Sequence, residues 1–345
     1  MLKPAALVEG DILGIVSPSA PAAGYCPRRF ERSLANLTAL GFTVLVGEHA
    51  TARHGHTAGT IEERVVDLHR MFRDDHIKGV IATVGGLNSN QLLDELDYDL
   101  LKRHPKILMG YSDITALLLA VHTMTGLVTF MGPALLPQFG EVGGLHPYAR
   151  KWLRRVLMSD KAPLTLEPSR LTIYEELRWD VDDTRPRREE RHPGPRIVRP
   201  GLAEGPIIAG NLSTLLILAG TPYLPSLQGA ILCIEEDETE APDVIDRYLI
   251  QLRQMGVLAE IAALLVGRFN PAVGFGEGRL LDEVLLAATR GLDVPIAVDF
   301  DFGHTDPMFI LPNGVLARAD FSRRAPRLQL LESAVRVDRP AAAIV

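Results

Sequence analysis

Ile107-Leu108-Met109-Gly110-Tyr111-Ser112-Asp113 runs straight into the apolar stretch Ile114 to Val121. A short buried strand that meets a helix across so sharp a turn is a unit of a parallel α/β sheet. The turn puts Ser112 at a strand's carboxyl end and at a helix N-terminus. There a hydroxyl can project into a cleft, and backbone N–H groups can face a developing oxyanion. The window has two readings. Ile114 stands where the G-x-S-x-G turn has its last glycine, and Ser is a favoured N-cap, so Ser112 reads as a nucleophile or as a plain helix cap.

Outward from this turn the pattern repeats. Ile12 to Val16 reads as a buried strand ending in the loop Ser17-Pro18-Ser19-Ala20-Pro21, and Arg28 to Leu40 as a helix stopped by Gly41. Phe42 to Val46 is a second strand, and Thr60 with Glu63 forms a capping-box pattern. Val80-Ile81-Ala82 is a third strand ending near Gly85-Gly86, and Leu127 to Met131 a fifth, closed by Gly132-Pro133. Ligands of such sheets bind beyond the carboxyl ends of the strands, where Ser17, Gly85-Gly86 and Ser112 converge.

The segment Asp180 to Pro200 is rich in charge and proline and has no apolar periodicity, so it reads as a mobile loop or linker. A second alternation follows. Strands are expected at Pro206 to Ala209, Ala230 to Ile234, Ala262 to Val266 and Pro295 to Asp299, and helices at Ser213 to Ala219 and Ile245 to Met255. Val315 to Val337 holds short alternating runs that fit antiparallel strands. The expected division is an N-terminal α/β domain over 1–160, a linker and charged loop over 161–200, and a C-terminal domain over 201–345.

The chain has 345 residues, enough for two domains, with 47% hydrophobic and 23% charged residues, the balance of a globular protein. A net charge of −7 provides no basic footprint for a nucleic-acid polymer. Cys26 and Cys233 lie far apart without metal-ligand spacing, so neither a disulfide framework nor a metal site is expected. No apolar run approaches the ~18 residues of a membrane span, and Met1-Leu2-Lys3-Pro4 opens no secretory signal. The expectation is a cytoplasmic protein with neither membrane nor nucleic-acid partner.

A serine nucleophile needs a base, and the base an orienting partner. Of ten histidines, His304 alone follows a predicted strand in a loop, Asp301-Phe302-Gly303-His304-Thr305-Asp306-Pro307, where a base would sit; its plain reading is a polar loop residue. Glu235 is the first polar residue after Ile231-Leu232-Cys233-Ile234, and a carboxylate there can fix a histidine's tautomer. Glu236 and Asp237 compete with it. This acidic run lacks EF-hand spacing, so no metal is assigned. Gly85-Gly86, followed by Leu87-Asn88-Ser89-Asn90, permits close backbone approach and an N–H donor for an oxyanion. It lacks the Walker lysine and the G-x-G-x-x-G order of a nucleotide hydrolase.

In order along the chain, Ser17-Pro18-Ser19-Ala20-Pro21, Gly85-Gly86-Leu87-Asn88-Ser89-Asn90, Pro105 to Asp113 and Gly132-Pro133-Ala134 are followed by Gly210-Asn211-Leu212, Ile234-Glu235-Glu236 and Asp299 to Thr305. This series resembles the LD-carboxypeptidase family of serine peptidases, in particular its microcin C-immunity branch. The resemblance implies a flavodoxin-like parallel-sheet domain followed by a domain with a β-barrel-like sheet, with the active site in the cleft between them. It implies a Ser112, Glu235, His304 triad and an oxyanion hole from the backbone N–H groups of Gly86 and Asp113. Gly85, Asn88, Asn211 and Glu236 are candidates for substrate binding. So is Trp179, by stacking on a nucleobase; its plain reading is packing at the domain interface. Arg185, Arg187 and Arg188 are candidates for phosphate. The implied protein is a homodimer without a cofactor or metal. Its small-molecule substrate is a peptidyl or aminoacyl nucleotide or, alternatively, a murein tetrapeptide. A non-catalytic ligand-binding module is the rival from another class.

Overall fold

Five strands, Ile12–Val16 (β1), Thr43–Val46 (β2), Ile77–Ala82 (β3), Ile107–Gly110 (β4) and Phe130–Met131 (β5), form a parallel sheet in the order 2-1-3-4-5. That is the flavodoxin-like order. Leu311–Pro312, from the C-terminal part of the chain, adds an antiparallel edge beside β5. The computed structural model describes residues 1–276, 279–323 and 325–337. β1, β3 and β4 are buried nearly throughout, which is why they read as continuous apolar runs rather than alternating ones. The expected fifth strand is shorter than its apolar run: Leu127 makes only an isolated bridge to Leu2. The helix Ile61–Arg73 starts with the expected capping box, in which Thr60 and Glu63 bond each other's backbone N–H groups.

A second sheet has eight strands. Its centre is parallel: Leu202–Asn211, Ile231–Glu235, Ala263–Gly267 and Ile296–Phe300. Leu316–Asp320, Arg327–Leu330 and Leu164–Leu166 extend one side antiparallel, and Arg196–Arg199 closes the other. The last of these corrects the sequence reading. Arg196–Arg199 lies in the stretch read as linker, yet pairs with Ile296–Phe300, because a half-buried edge strand needs no continuous apolar face. Leu164–Leu166 likewise belongs to the sheet. The helix Arg279–Ala288, not foreseen from the sequence, is also present.

The helix Ile114–Thr125 explains how the halves meet. Every residue from Ile114 to Val121 is buried, so it has no polar face, the mark of a helix enclosed on all sides. It packs on β4 and on the helix Leu212–Ile217 of the second half. Thr115 Oγ1 accepts the Asn211 N–H at 2.9 Å, tying the two together. Both apolar cores draw on both halves, as in the edge contact of Trp152 with Phe309. The helix's N-terminus therefore opens at the junction of the two sheets.

Candidate active site

β4 ends at Gly110 and the next helix starts at Ile114, so Tyr111, Ser112 and Asp113 make the whole turn. Ser112 sits at φ +62°, a left-handed conformation that costs a side-chain-bearing residue on the order of 1–3 kcal/mol. Such strain persists only where the surroundings enforce it. Here the neighbouring turn does so: a Cβ on Gly85 would stand 2.7 Å from Ser112 Cβ and 2.8 Å from its Oγ. The helix-cap reading of Ser112 does not hold. The residue at the N-cap is Asp113, without a side-chain capping bond, and Ser112 serves the helix only through its carbonyl, which accepts the Thr115 N–H. Among the described residues, the N–H groups of Gly86 and Asp113 have no intramolecular acceptor.

Glu235 ends its strand, and His304 lies in the loop after Ile296–Phe300. His304 Nδ1 is 2.6 Å from Glu235 Oε2. Glu235 is 1% exposed, so its charge is scarcely screened. Burial alone would lower the His304 pKa; the charge and hydrogen bond of Glu235 outweigh it and raise the imidazole to about 9. Gly303, at φ +103°, is what lets the loop pass: a Cβ there would lie 2.6 Å from Glu235 Oε2. Glu236 faces elsewhere. It accepts Asn211 Nδ2 at 2.5 Å and the Ser213 N–H at 2.8 Å, securing the start of the helix Leu212–Ile217. Burial, then the Glu235 charge, push its carboxyl up to about 7.

Ser112, Gly85, Gly86 and His304 line one cavity of about 420 Å³. Trp179 and Arg187 also line it. Trp179 is half-buried against the apolar core and also holds the Arg29 guanidinium 4.6 Å from its ring centroid. Of the three arginines considered for phosphate, only Arg187 reaches the cavity, where it pairs with Glu141 at 3.0 Å and with Asp306. Arg185 binds Glu175 and Arg188 pairs with Glu190. Asn88, Asn211 and Glu236 do not line the cavity. The Asn88 carbonyl accepts Arg64, and the other two bind each other behind the site.

Residues passed over in the sequence complete the wall. The Tyr111 ring lies against His304, centroids 5.1 Å apart and planes tilted by 58°, and its hydroxyl accepts from Gln138 Nε2 at 3.2 Å. Burial, then Asp306, raise its phenol. Glu176 and Glu238 also line the cavity; burial, then the Glu238 charge, raise the Glu176 carboxyl. A signal for Tyr111 and Asp306 existed, since each stands within two residues of Ser112 or His304. Glu176 and Glu238 carried none.

A family model described as the LD-carboxypeptidase N-terminal domain matches residues 13–132, and one for the C-terminal domain of the same family matches residues 204–319. The chain belongs to the LD-carboxypeptidase family. It is thus a serine carboxypeptidase-type hydrolase. A probable murein peptide carboxypeptidase of Bacillus subtilis is 35% identical over 321 residues, 91% of this chain and 90% of its own. The microcin C7 self-immunity protein MccF of Escherichia coli is 32% identical over 325 residues, 94% of each chain. A solved MccF mutant in complex with adenosine monophosphate superposes with a TM-score of 0.90 at 31% identity, covering 97% of this chain and 100% of its own. MccF in complex with aspartyl sulfamoyl adenosine gives 0.88 at 32% identity, with the same coverage. Among the described residues no helix is long and apolar enough to cross a membrane.

Proposed function

We propose that this member of the family cleaves the amide joining a peptidyl or aminoacyl group to a nucleotide, with Ser112, His304 and Glu235 as its triad. The observation that carries the mechanism is the 2.6 Å contact of His304 Nδ1 with the buried Glu235 carboxylate at the cavity that also holds Ser112. With Nδ1–H donated to Glu235, the free nitrogen is Nε2. His304 Nε2 takes the Ser112 proton as Oγ attacks the carbonyl carbon. The oxygen, now an anion, accepts the N–H groups of Gly86 and Asp113. Collapse breaks the C–N bond, and His304 returns the proton to the leaving nitrogen. Water, deprotonated by His304, then hydrolyses the acyl-serine and restores the enzyme.

The nucleotide substrate rests on Trp179 in the cavity wall, an indole that offers a stacking face for a base, and on solved relatives named with adenosine monophosphate and a sulfamoyl adenosine. The relative named as a murein peptide carboxypeptidase favours the other substrate class, release of a terminal D-amino acid from a murein tetrapeptide. The test offers an aminoacyl-sulfamoyl adenosine and a murein tetrapeptide side by side to the purified protein and its Ser112→Ala variant. Turnover of the nucleotide, lost in the variant, supports the proposal; D-alanine release alone overturns the substrate. Turnover retained in the variant overturns the nucleophile.

A further inference from the structure

The Gly85–Gly86 turn must be held against Ser112 to better than an ångström, yet it has no side chains of its own to anchor it and its tip is open. Leu87, at its tip, is 84% exposed. What holds it comes from below. Ser89, fully buried, donates its N–H to Asp113 Oδ2 at 2.8 Å and its hydroxyl to the Asp113 carbonyl at 2.6 Å. Asp113 is itself 2% exposed. Its backbone N–H lies 3.2 Å from where a Gly85 Cβ would be, so the residue that faces the cavity with its N–H grips the neighbouring turn with its carboxylate and carbonyl.

A second anchor is Arg64, on the helix Ile61–Arg73 and 3% exposed. Its Nη1 donates to the carbonyls of Pro18 at 2.8 Å and Asn88 at 3.3 Å, and its Nη2 to Gln91 Oε1 at 2.7 Å. One guanidinium thus joins the loop after β1 to the loop after β3. The same two loops meet again where Ala20 N–H donates to the Gly85 carbonyl at 3.1 Å and Asn88 N–H to Ser19 Oγ at 3.2 Å. Arg64 makes no direct ion pair with Asp113 among the described residues; burial lowers the guanidinium's pKa, and the Asp113 charge is the largest influence opposing that.

We infer that Asp113, Ser89 and Arg64 are positioning residues for the oxyanion hole: they set the Gly85–Gly86 turn over Ser112 so that the Gly86 and Asp113 N–H groups converge on one oxygen. This rests on the proposed nucleophile and its hole. The physical reason is that preorganised donors act only when aimed at the oxygen's position in the transition state, and donors on an exposed turn wander unless its base is clamped. Arg64 as donor and the Asp113 carboxyl as acceptor each hold the base of the turn by their own buried hydrogen bonds, of the charge-assisted kind that is stronger than neutral ones.

The variants are Ser89→Ala, Asp113→Ala, Asp113→Asn and Arg64→Lys, compared with the parent full-length protein. The probe is a peptide boronate that forms a tetrahedral anion on Ser112, set against its non-electrophilic amide isostere. Losing an aimed donor costs on the order of 10²–10³ in rate, and a loosened one part of that. The expectation is a boronate affinity at least tenfold weaker in Ser89→Ala, Asp113→Ala and Arg64→Lys, with isostere affinity within twofold. kcat should fall in step while KM and the pH profile hold. Asp113→Asn, which keeps an oxygen for the Ser89 N–H, should recover most of what alanine loses. Parallel loss of both ligands, or no loss of either, overturns the inference even where Asp113→Ala fails to fold, because Ser89→Ala and Arg64→Lys are read separately. If the boronate forms no adduct with the parent, the nucleophile proposal falls and this inference with it.

Discussion

Glu235 Oε2 and His304 Nδ1 are 2.6 Å apart, although 69 positions separate them in the chain. Glu235 stands at the end of a parallel strand, and His304 hangs from a loop two strands away in the same sheet. The pair sets a buried carboxylate against one imidazole nitrogen and leaves the other, Nε2, clear of Glu235.

This pairing separates two neighbouring glutamates. Glu235→Gln removes the charge that holds the tautomer and should lower kcat by on the order of 10³–10⁴. Glu236→Gln turns an NH₂ toward the N–H donors of Asn211, Ser213 or Asp237, which Glu236 now accepts. It should destabilise the fold by about 1–3 kcal/mol with kcat within tenfold of the parent. Steady-state kinetics and urea unfolding of both variants decide the matter; the reverse ranking in kcat would make Glu236 the partner.

The raised His304 pKa dictates the pH dependence. As the proposed base His304 must be neutral to act, and with its pKa raised to about 9 it is mostly protonated at pH 7. kcat/KM should therefore climb by about tenfold per pH unit and level off near pH 9. In Glu235→Gln the plateau should move down toward the ordinary imidazole range of about 6.5. Stability runs the other way. A base whose folded pKa lies above its unfolded value stabilises fully below about pH 6.5, and that contribution is lost as pH rises through about 9. A parent profile already flat at pH 7 would contradict the first part, and melting curves across pH 6–10 check the second.

Gly85 is required by contact with the serine. In Gly85→Ala the new methyl would fall 2.7 Å from Ser112 Cβ, so the two turns must part. The expected result is a loss of kcat/KM of on the order of 100-fold or more, since donors misplaced by an ångström lose that much, with a stability cost of about 1–3 kcal/mol from overpacking. Kinetics and a thermal melt measure both; near-parental activity would show that the turns are free to separate.

Trp179 distinguishes the substrate classes. If a base stacks on its indole, Trp179→Ala should weaken adenosine monophosphate binding by about 1–3 kcal/mol, or roughly 5- to 150-fold. Turnover of a murein tetrapeptide should change far less. Calorimetry with adenosine monophosphate and a D-alanine release assay give the two numbers, and unchanged nucleotide affinity would remove Trp179 from the site.

Much of this protein was legible in its amino-acid order. Continuous apolar runs ending at Ser17, Gly85 and Ser112 are what buried parallel strands require, and the Thr60–Glu63 spacing marks a helix start by local hydrogen bonding alone. These features depend on neighbours a few residues apart. What only the tertiary structure decided depends on direction. Glu235 and Glu236 are adjacent, and consecutive side chains of an extended chain point to opposite sides, so one meets His304 and the other Asn211. Arg187 enters the cavity while Arg185 and Arg188 find partners outside it, although composition treats the three alike. Arg196–Arg199 becomes a strand because a sheet edge is free to pair with it. Ser112 itself belongs to both accounts: its place at a strand end is written in the sequence, but its φ of +62° is imposed by the turn that packs against it.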